Sequence, residues 1–110
     1  MRRGLIVIAL LPGLGVPGVT AKADDTKLAR YGQHLAQECT GCHRIDGVDN
    51  GIPSIVGWDA ERFMATLRFY RNGERANPVM VSVAKSLDDE QARALAAYYG
   101  SLPKPPKGKR

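Results

Sequence analysis

Cys39-Thr40-Gly41-Cys42-His43 is the stretch from which the rest of this chain is read. It has the form C-x-x-C-H, the attachment sequence for c-type haem. Two cysteines three residues apart lie about one helical turn from each other. Both thiols can therefore reach the two vinyl groups on one edge of a porphyrin and form thioether bonds, and the next residue, His43, falls beneath the iron as its proximal ligand. Thr40 and Gly41 are small and let the ring edge lie against the backbone. Two other uses of the same residues fit less well. A zinc site needs further ligands, and beyond Cys39, Cys42 and His43 only His34 and carboxylates remain. A thioredoxin-like pair needs a βαβ setting, and the chain shows no strand pattern.

The residues before the motif divide into two parts. Arg2 and Arg3 form a basic start, Leu5 to Leu11 is an unbroken apolar run, and Ala21-Lys22-Ala23 is an A-x-A cleavage site. Residues 1–23 thus read as a secretory signal peptide. The apolar run is too short, and too interrupted by Pro12, Gly13, Gly15 and Pro17, to span a membrane. Export and the haem motif together imply the bacterial periplasm, or the outer face of the inner membrane. The formal charge of +5 comes from the two ends of the chain. Between Asp24 and Pro103 there are 9 basic and 11 acidic residues, so there is no nucleic-acid footprint. The segment 103–110, Pro103-Lys104-Pro105-Pro106-Lys107-Gly108-Lys109-Arg110, reads as a basic, proline-rich, disordered tail. What remains, 24–102, is one small domain, poor in large aliphatic residues, to which a haem would add the missing apolar bulk.

Within that domain the periodicity is helical throughout. Asp24 or Asp25 caps a first helix running to about Glu38, with Leu28, Tyr31, Gly32, Leu35 and Cys39 on one face. A glycine in mid-helix costs about 1 kcal/mol against alanine, so Gly32 points to close approach of another helix, expected near Leu95 and Tyr98 or Tyr99. His34 lies off the apolar face and reads as exposed. Arg44 to Trp58 is loop, punctuated by Asp46-Gly47, Asp49-Asn50-Gly51 and Pro53. Ile52, Pro53 and Ile55 give this loop an apolar side of the kind that packs on a haem face, and Trp58 and Tyr70 are candidates to line the same pocket. Asp59 caps a second helix, 60–72, ended by Gly73, with Met64 in its buried stripe. Asn77-Pro78 opens a turn, and Met80, outside any regular helical stripe, is the candidate second axial ligand; a core methionine on a short helix is the competing reading. Asp88, with Gln91 completing a capping box, starts a last helix that runs to about Tyr99 and stops at Gly100.

Taken together, these residues resemble a class I monohaem cytochrome c: Gly32 seven residues before Cys39, the haem motif, Pro53 ten residues past His43, Met80 37 residues past it, and a last helix closing on Ala97-Tyr98-Tyr99. More narrowly, Phe69-Tyr70-Arg71-Asn72-Gly73-Glu74-Arg75, Val79-Met80, Val83-Ala84-Lys85 and Leu87-Asp88-Asp89-Glu90 are similar in order and spacing to the cytochrome subunit of flavocytochrome c sulfide dehydrogenase and to cytochrome c4 domains. Two departures stand out: those families often carry two haem domains where this chain has one motif, and Ser86 stands where they usually have glycine. The resemblance implies an all-α fold of three main helices and a short one around one covalent haem. It implies that the carbonyl of Pro53 accepts the Nδ1–H of His43, and that Met80 completes the iron's ligands. It also implies a chain that is not catalytic alone, taking electrons from an FAD-containing partner that oxidises sulfide and passing them to small redox carriers. A free periplasmic carrier of the same fold is the alternative. An open-iron, ligand-binding or catalytic haem protein is disfavoured by Met80.

Overall fold

The structure, a computed structural model, describes Gly13, Gly15 and residues 21–106. The secretory signal falls almost wholly outside the described residues, as do Lys107 to Arg110. Among the described residues four α-helices follow in order: α1 Ala21–Leu35, α2 Ala60–Arg71, α3 Pro78–Ser86 and α4 Asp89–Ser101. No strand occurs among the described residues. The all-α class expected from the sequence is the one observed.

The helix starts follow local chemistry. Asp59 accepts from the Arg62 N–H at the head of α2, and Asn77 accepts from the Met80 N–H at the head of α3, with Pro78 in the first turn. Asp88 and Gln91 form the reciprocal capping box of α4. Three boundaries differ from expectation. The first helix already includes Ala21 and ends at Leu35, where Ala36 to Thr40 continue as turns whose N–H groups bond back to Gly32, Leu35 and Ala36. The expected short helix forms at residues 78–86, starting directly at Pro78 where a turn was expected to open, because the Asn77 cap and a favourable first-turn proline nucleate it. Gly100 does not stop α4, which runs to Ser101. Gly100 is small for another reason: a Cβ there would lie 3.0 Å from the Trp58 carbonyl oxygen.

The core forms where α4 meets α1 and α2. Ala92, Leu95, Ala96 and Tyr99 of α4 pack with Ala36, Val56, Phe63, Leu67 and Ala84. Phe63 and Tyr99 stack at 5.8 Å between ring centroids, and Tyr98 meets Tyr99 edge-on at 5.3 Å. The α1–α4 crossing is closest at Gly32. A Cβ added there would stand 1.9 Å from the Ala94 carbonyl oxygen and 2.8 Å from Tyr98 Cβ, so only hydrogen fits. The partner is therefore Ala94 with Tyr98, one residue displaced from the expected Leu95, whose side chain turns into the core instead.

The end of the chain folds back. The segment expected to leave the body as a disordered tail at Pro103 instead lays Lys104 against Gly57 and Pro105 against Gly47. Both glycines have positive φ, +73° and +80°, and a Cβ on either would come within 2.6 Å of this segment. Together with the Gly57 N–H bond to the Tyr99 carbonyl at 2.8 Å, this pins the 44–58 loop to the C-terminal end of α4.

Candidate functional site

The haem-motif residues sit on the turns that prolong α1. Cys42 N–H and His43 N–H both bond to the Cys39 carbonyl, at 3.1 and 2.9 Å, so the two cysteines and the histidine share one tight helical bend. Cys39 is half-buried against the core and Cys42 is exposed, and the two are not joined in a disulfide. Burial pushes the Cys39 thiol up from its ordinary range; Tyr99 opposes this, while Glu38 and Cys42 add to it. A Cβ on Gly41 would touch only the Glu38 carbonyl, at 4.0 Å, which leaves the outer side of the bend open.

His43 is half-buried, and its Nδ1 lies 2.7 Å from the Pro53 carbonyl oxygen. A carbonyl can only accept, so Nδ1 carries the proton and Nε2 is left with its lone pair free to ligate. The loop that presents Pro53 is shaped by its own side chains. Asp46 accepts from the Val48 N–H and pairs with Arg44, and Asp49 accepts from the Gly51 N–H. Met80, half-buried, stands on the first turn of α3 and borders the same core as Cys39. Met64 also borders that core, from α2, and lines a cleft with Leu67, Arg68 and Arg71 that does not reach the haem motif. His34 is exposed, as its place on α1 suggested. Trp58 and Tyr70 are engaged by arginines: Arg62 lies over the indole at 3.7 Å and Arg75 over the phenol at 4.8 Å.

Three features show that these residues fit a porphyrin. Apolar side chains stand uncovered in the loop after the motif and at the head of α3: Ile45 and Ile52, and Val79 next to Met80, are 46, 37 and 65% exposed. The donor set is soft and nitrogenous, two thiols, an imidazole and a thioether, with no cluster of three or more His, Cys, Asp or Glu among the described residues to suggest another metal. The hydroxyl of Tyr99, wholly buried, has no hydrogen-bond partner. The Cys39 thiol acts on it without reaching hydrogen-bond geometry, and burial above all pushes the phenol well above its ordinary range. An orphaned buried hydroxyl beside Cys39 is what a cofactor edge would be expected to meet.

A helical domain with a C-x-x-C-H bend, a carbonyl-held histidine and an apolar opening defines a c-type cytochrome. Residues 26–98 match the family described as cytochrome c oxidase, cbb3-type, subunit III, and the chain belongs to that family. Among curated relatives, it is 38% identical over 74 residues to the cytochrome subunit of sulfide dehydrogenase of Chlorobaculum tepidum, covering 66% of this chain and 67% of the relative. It is 34% identical over 88 residues to the thiosulfate dehydrogenase electron acceptor of Stutzerimonas stutzeri, covering 76% of this chain but 41% of that protein. It is 29% identical over 108 residues to cytochrome c-553 of Nitratidesulfovibrio vulgaris, covering 93% of this chain and all of the relative. The chain thus spans about two-fifths of that electron acceptor's length. Electron transfer by a monohaem cytochrome c is the function these findings support.

Sequence reasoning missed one residue that bonds to the helix carrying Met80. Arg71, at the end of α2, bonds to Ala84 and Leu87 carbonyls and to Asp89. A basic residue in a last helical turn reads as complementing the helix dipole, and no local signal announces contacts thirteen to eighteen residues away.

Proposed function

We propose that the chain carries one haem c, bonded through Cys39 and Cys42, with iron held between His43 and Met80, and that it works as the cytochrome subunit receiving electrons from an FAD-containing sulfide dehydrogenase. The observation that carries the reading is the His43–Pro53 contact of 2.7 Å beside the paired thiols. When bound, the haem supplies a one-electron couple. The chain's residues do the rest. The Pro53 carbonyl orients the imidazole and strengthens its donation. Met80 offers a soft thioether that favours the reduced metal and raises the potential. Ile45 and Ile52, uncovered in the loop after His43, and Val79, uncovered next to Met80, would help keep water from a bound ring.

In this reading residues 1–23 export the chain to the periplasm and are removed, and 24–102 form the working domain. Small redox carriers take the electrons on. No helix among the described residues is long and apolar enough to cross a membrane. Likeness to the Chlorobaculum tepidum subunit supports the flavoprotein partner. The competing reading, a free soluble carrier, is favoured by the end-to-end match with cytochrome c-553, a name that carries no partner. Purification from native extract separates the two. An FAD-bearing complex, stable in high salt and reduced by sulfide, is expected. A lone monomer reduced only by other carriers would establish the free-carrier reading.

A further inference from the structure

We propose that Arg71 is a positioning residue that holds Met80 in place for the iron. The inference rests on the ligand role proposed for Met80 above. It starts from how weakly α3 is otherwise attached. Ala84 is the helix's single buried residue. Among the four helices, the backbone of α3 comes close to α2 alone. The two ends of α3 are fixed by different means. At the N-terminus, Asn77 Oδ1 accepts from the backbone N–H of Met80 itself, at 3.0 Å. At the C-terminus the last carbonyls of any helix lack intrahelical donors, and here one guanidinium supplies them. Arg71 Nε donates to the Ala84 carbonyl at 2.9 Å, and Nη2 donates to the Leu87 carbonyl at 2.8 Å. Nη1 donates to Asp89 at the head of α4, at 3.0 Å.

One planar fork from α2 therefore joins the end of α3, the α3–α4 connection and the start of α4. Its rigid geometry makes three simultaneous bonds possible, which a lysine ammonium on a flexible stem would not reproduce. Ala84 lies one turn after Met80, so the carbonyl that Arg71 holds belongs to the turn of helix that directly follows the sulfur ligand. Released from Arg71, α3 would keep its N-cap, its packing on α2 and the seating of Ala84 in the core, but would lose the bonds at its C-terminal end, and Met80 would leave the iron more often.

The test is imidazole binding to the oxidised, haem-loaded protein, read by its absorption spectrum alongside the methionine–iron(III) charge-transfer band. An exogenous ligand binds only molecules whose methionine has left, so its apparent affinity reports that population. Arg71→Gln is expected to bind imidazole about tenfold more tightly, the factor one charge-assisted hydrogen bond corresponds to. Arg71→Lys should fall between Arg71→Gln and the parent. Asp89→Asn, which spares both carbonyl bonds, should stay near the parent. Asp59→Ala, which removes the α2 cap far from α3, should lower the melting temperature without changing imidazole affinity. If Arg71→Gln fails to fold, Arg71→Lys alone decides, by whether its affinity exceeds the parent's. Parent-like affinity in the Arg71 variants would overturn the inference, and so would an equal rise in Asp59→Ala. Failure of the underlying reading looks different: Met80→Ala would then bind imidazole no better than the parent and keep the charge-transfer band.

Discussion

The α1–α4 crossing and the α3 segment are attached in opposite ways. At the crossing, two long helices touch through Gly32 and Ala94 so closely that no side chain fits between them, and Ala92, Leu95 and Ala96 of α4 are buried almost completely. The α3 helix has one buried residue, one neighbouring helix and two polar anchors, Asn77 and Arg71. The crossing is held by packing, which tolerates almost no change of volume. The α3 segment is held by a few directional bonds, and it leaves Val79 uncovered beside Met80. One half of the molecule is therefore built to be fixed. The other presents Met80, the proposed iron ligand, on a helix seated in the core through Ala84 alone among its buried residues.

Substitution should separate the two. The largest effect on stability is expected from Gly32→Val. Its Cβ would overlap the Ala94 carbonyl, so the helices must part, costing at least the ~3 kcal/mol at the upper end of typical overpacking. The melting temperature should fall by more than about 10 °C, since ~1 kcal/mol shifts a domain of this size by roughly 4–8 °C. An unchanged melting curve would show that the crossing is not the rigid element. Met80→Ala should do the reverse: a modest loss of stability, with free access of CO or imidazole to the iron. Met64→Ala provides the contrast on the core side. Half-buried at the cleft between α2 and α4, Met64 should cost about 2 kcal/mol, the lower end for such truncations, and leave ligation alone. Control of ligation by Met64 would exchange the two assignments.

A smaller comparison lies in the caps. Asp88→Ala and Asn77→Ala should each cost about 1 kcal/mol. Only Asn77→Ala, which frees the Met80 N–H, should also raise imidazole affinity. Equal ligand binding in both would mean that the α3 cap has no influence on the site.

The smallest expected effect is a pH dependence. Burial raises the Tyr99 phenol in the folded state. The unfolded chain therefore loses this proton first, near the ordinary tyrosine value of ~10. Above that pH the folded state binds the extra proton, so stability falls as pH rises toward the folded value, and the contribution is fully present below pH ~10. Tyr99→Phe should flatten this alkaline loss, measured by denaturant unfolding at several pH values; an identical slope would place the dependence elsewhere.

Much of this was legible before the fold was known, and the reason is that it is local. The haem motif, the Asp59 cap, the Asp88–Gln91 capping box and the odd glycine in α1 are each written within a few neighbouring residues. Gly32 announces that something approaches closely; it does not say that the approaching group is the Ala94 carbonyl, because the helix rotation that chooses between Ala94 and Leu95 is set by the whole core. The return of Lys104 and Pro105 onto Gly57 and Gly47 was illegible for the same reason. A basic, proline-rich end looks like a solvated tail, and the glycines look like ordinary turn residues, until tertiary structure brings them together. Met80 stood out by type and spacing, whereas the arginine that anchors its helix looked like any charged residue on a helix surface.

Covalent attachment of a haem through Cys39 and Cys42, with His43 as a ligand to its iron, is tested by the mass of the acid-denatured protein after expression with a cytochrome c maturation system. The expected mass is that of the polypeptide plus one haem, with the colour remaining on the protein after acid–acetone extraction. Cys39→Ala and Cys42→Ala together should abolish the added mass. A polypeptide-only mass with haem in the solvent, or full retention of haem in the double variant, would contradict it.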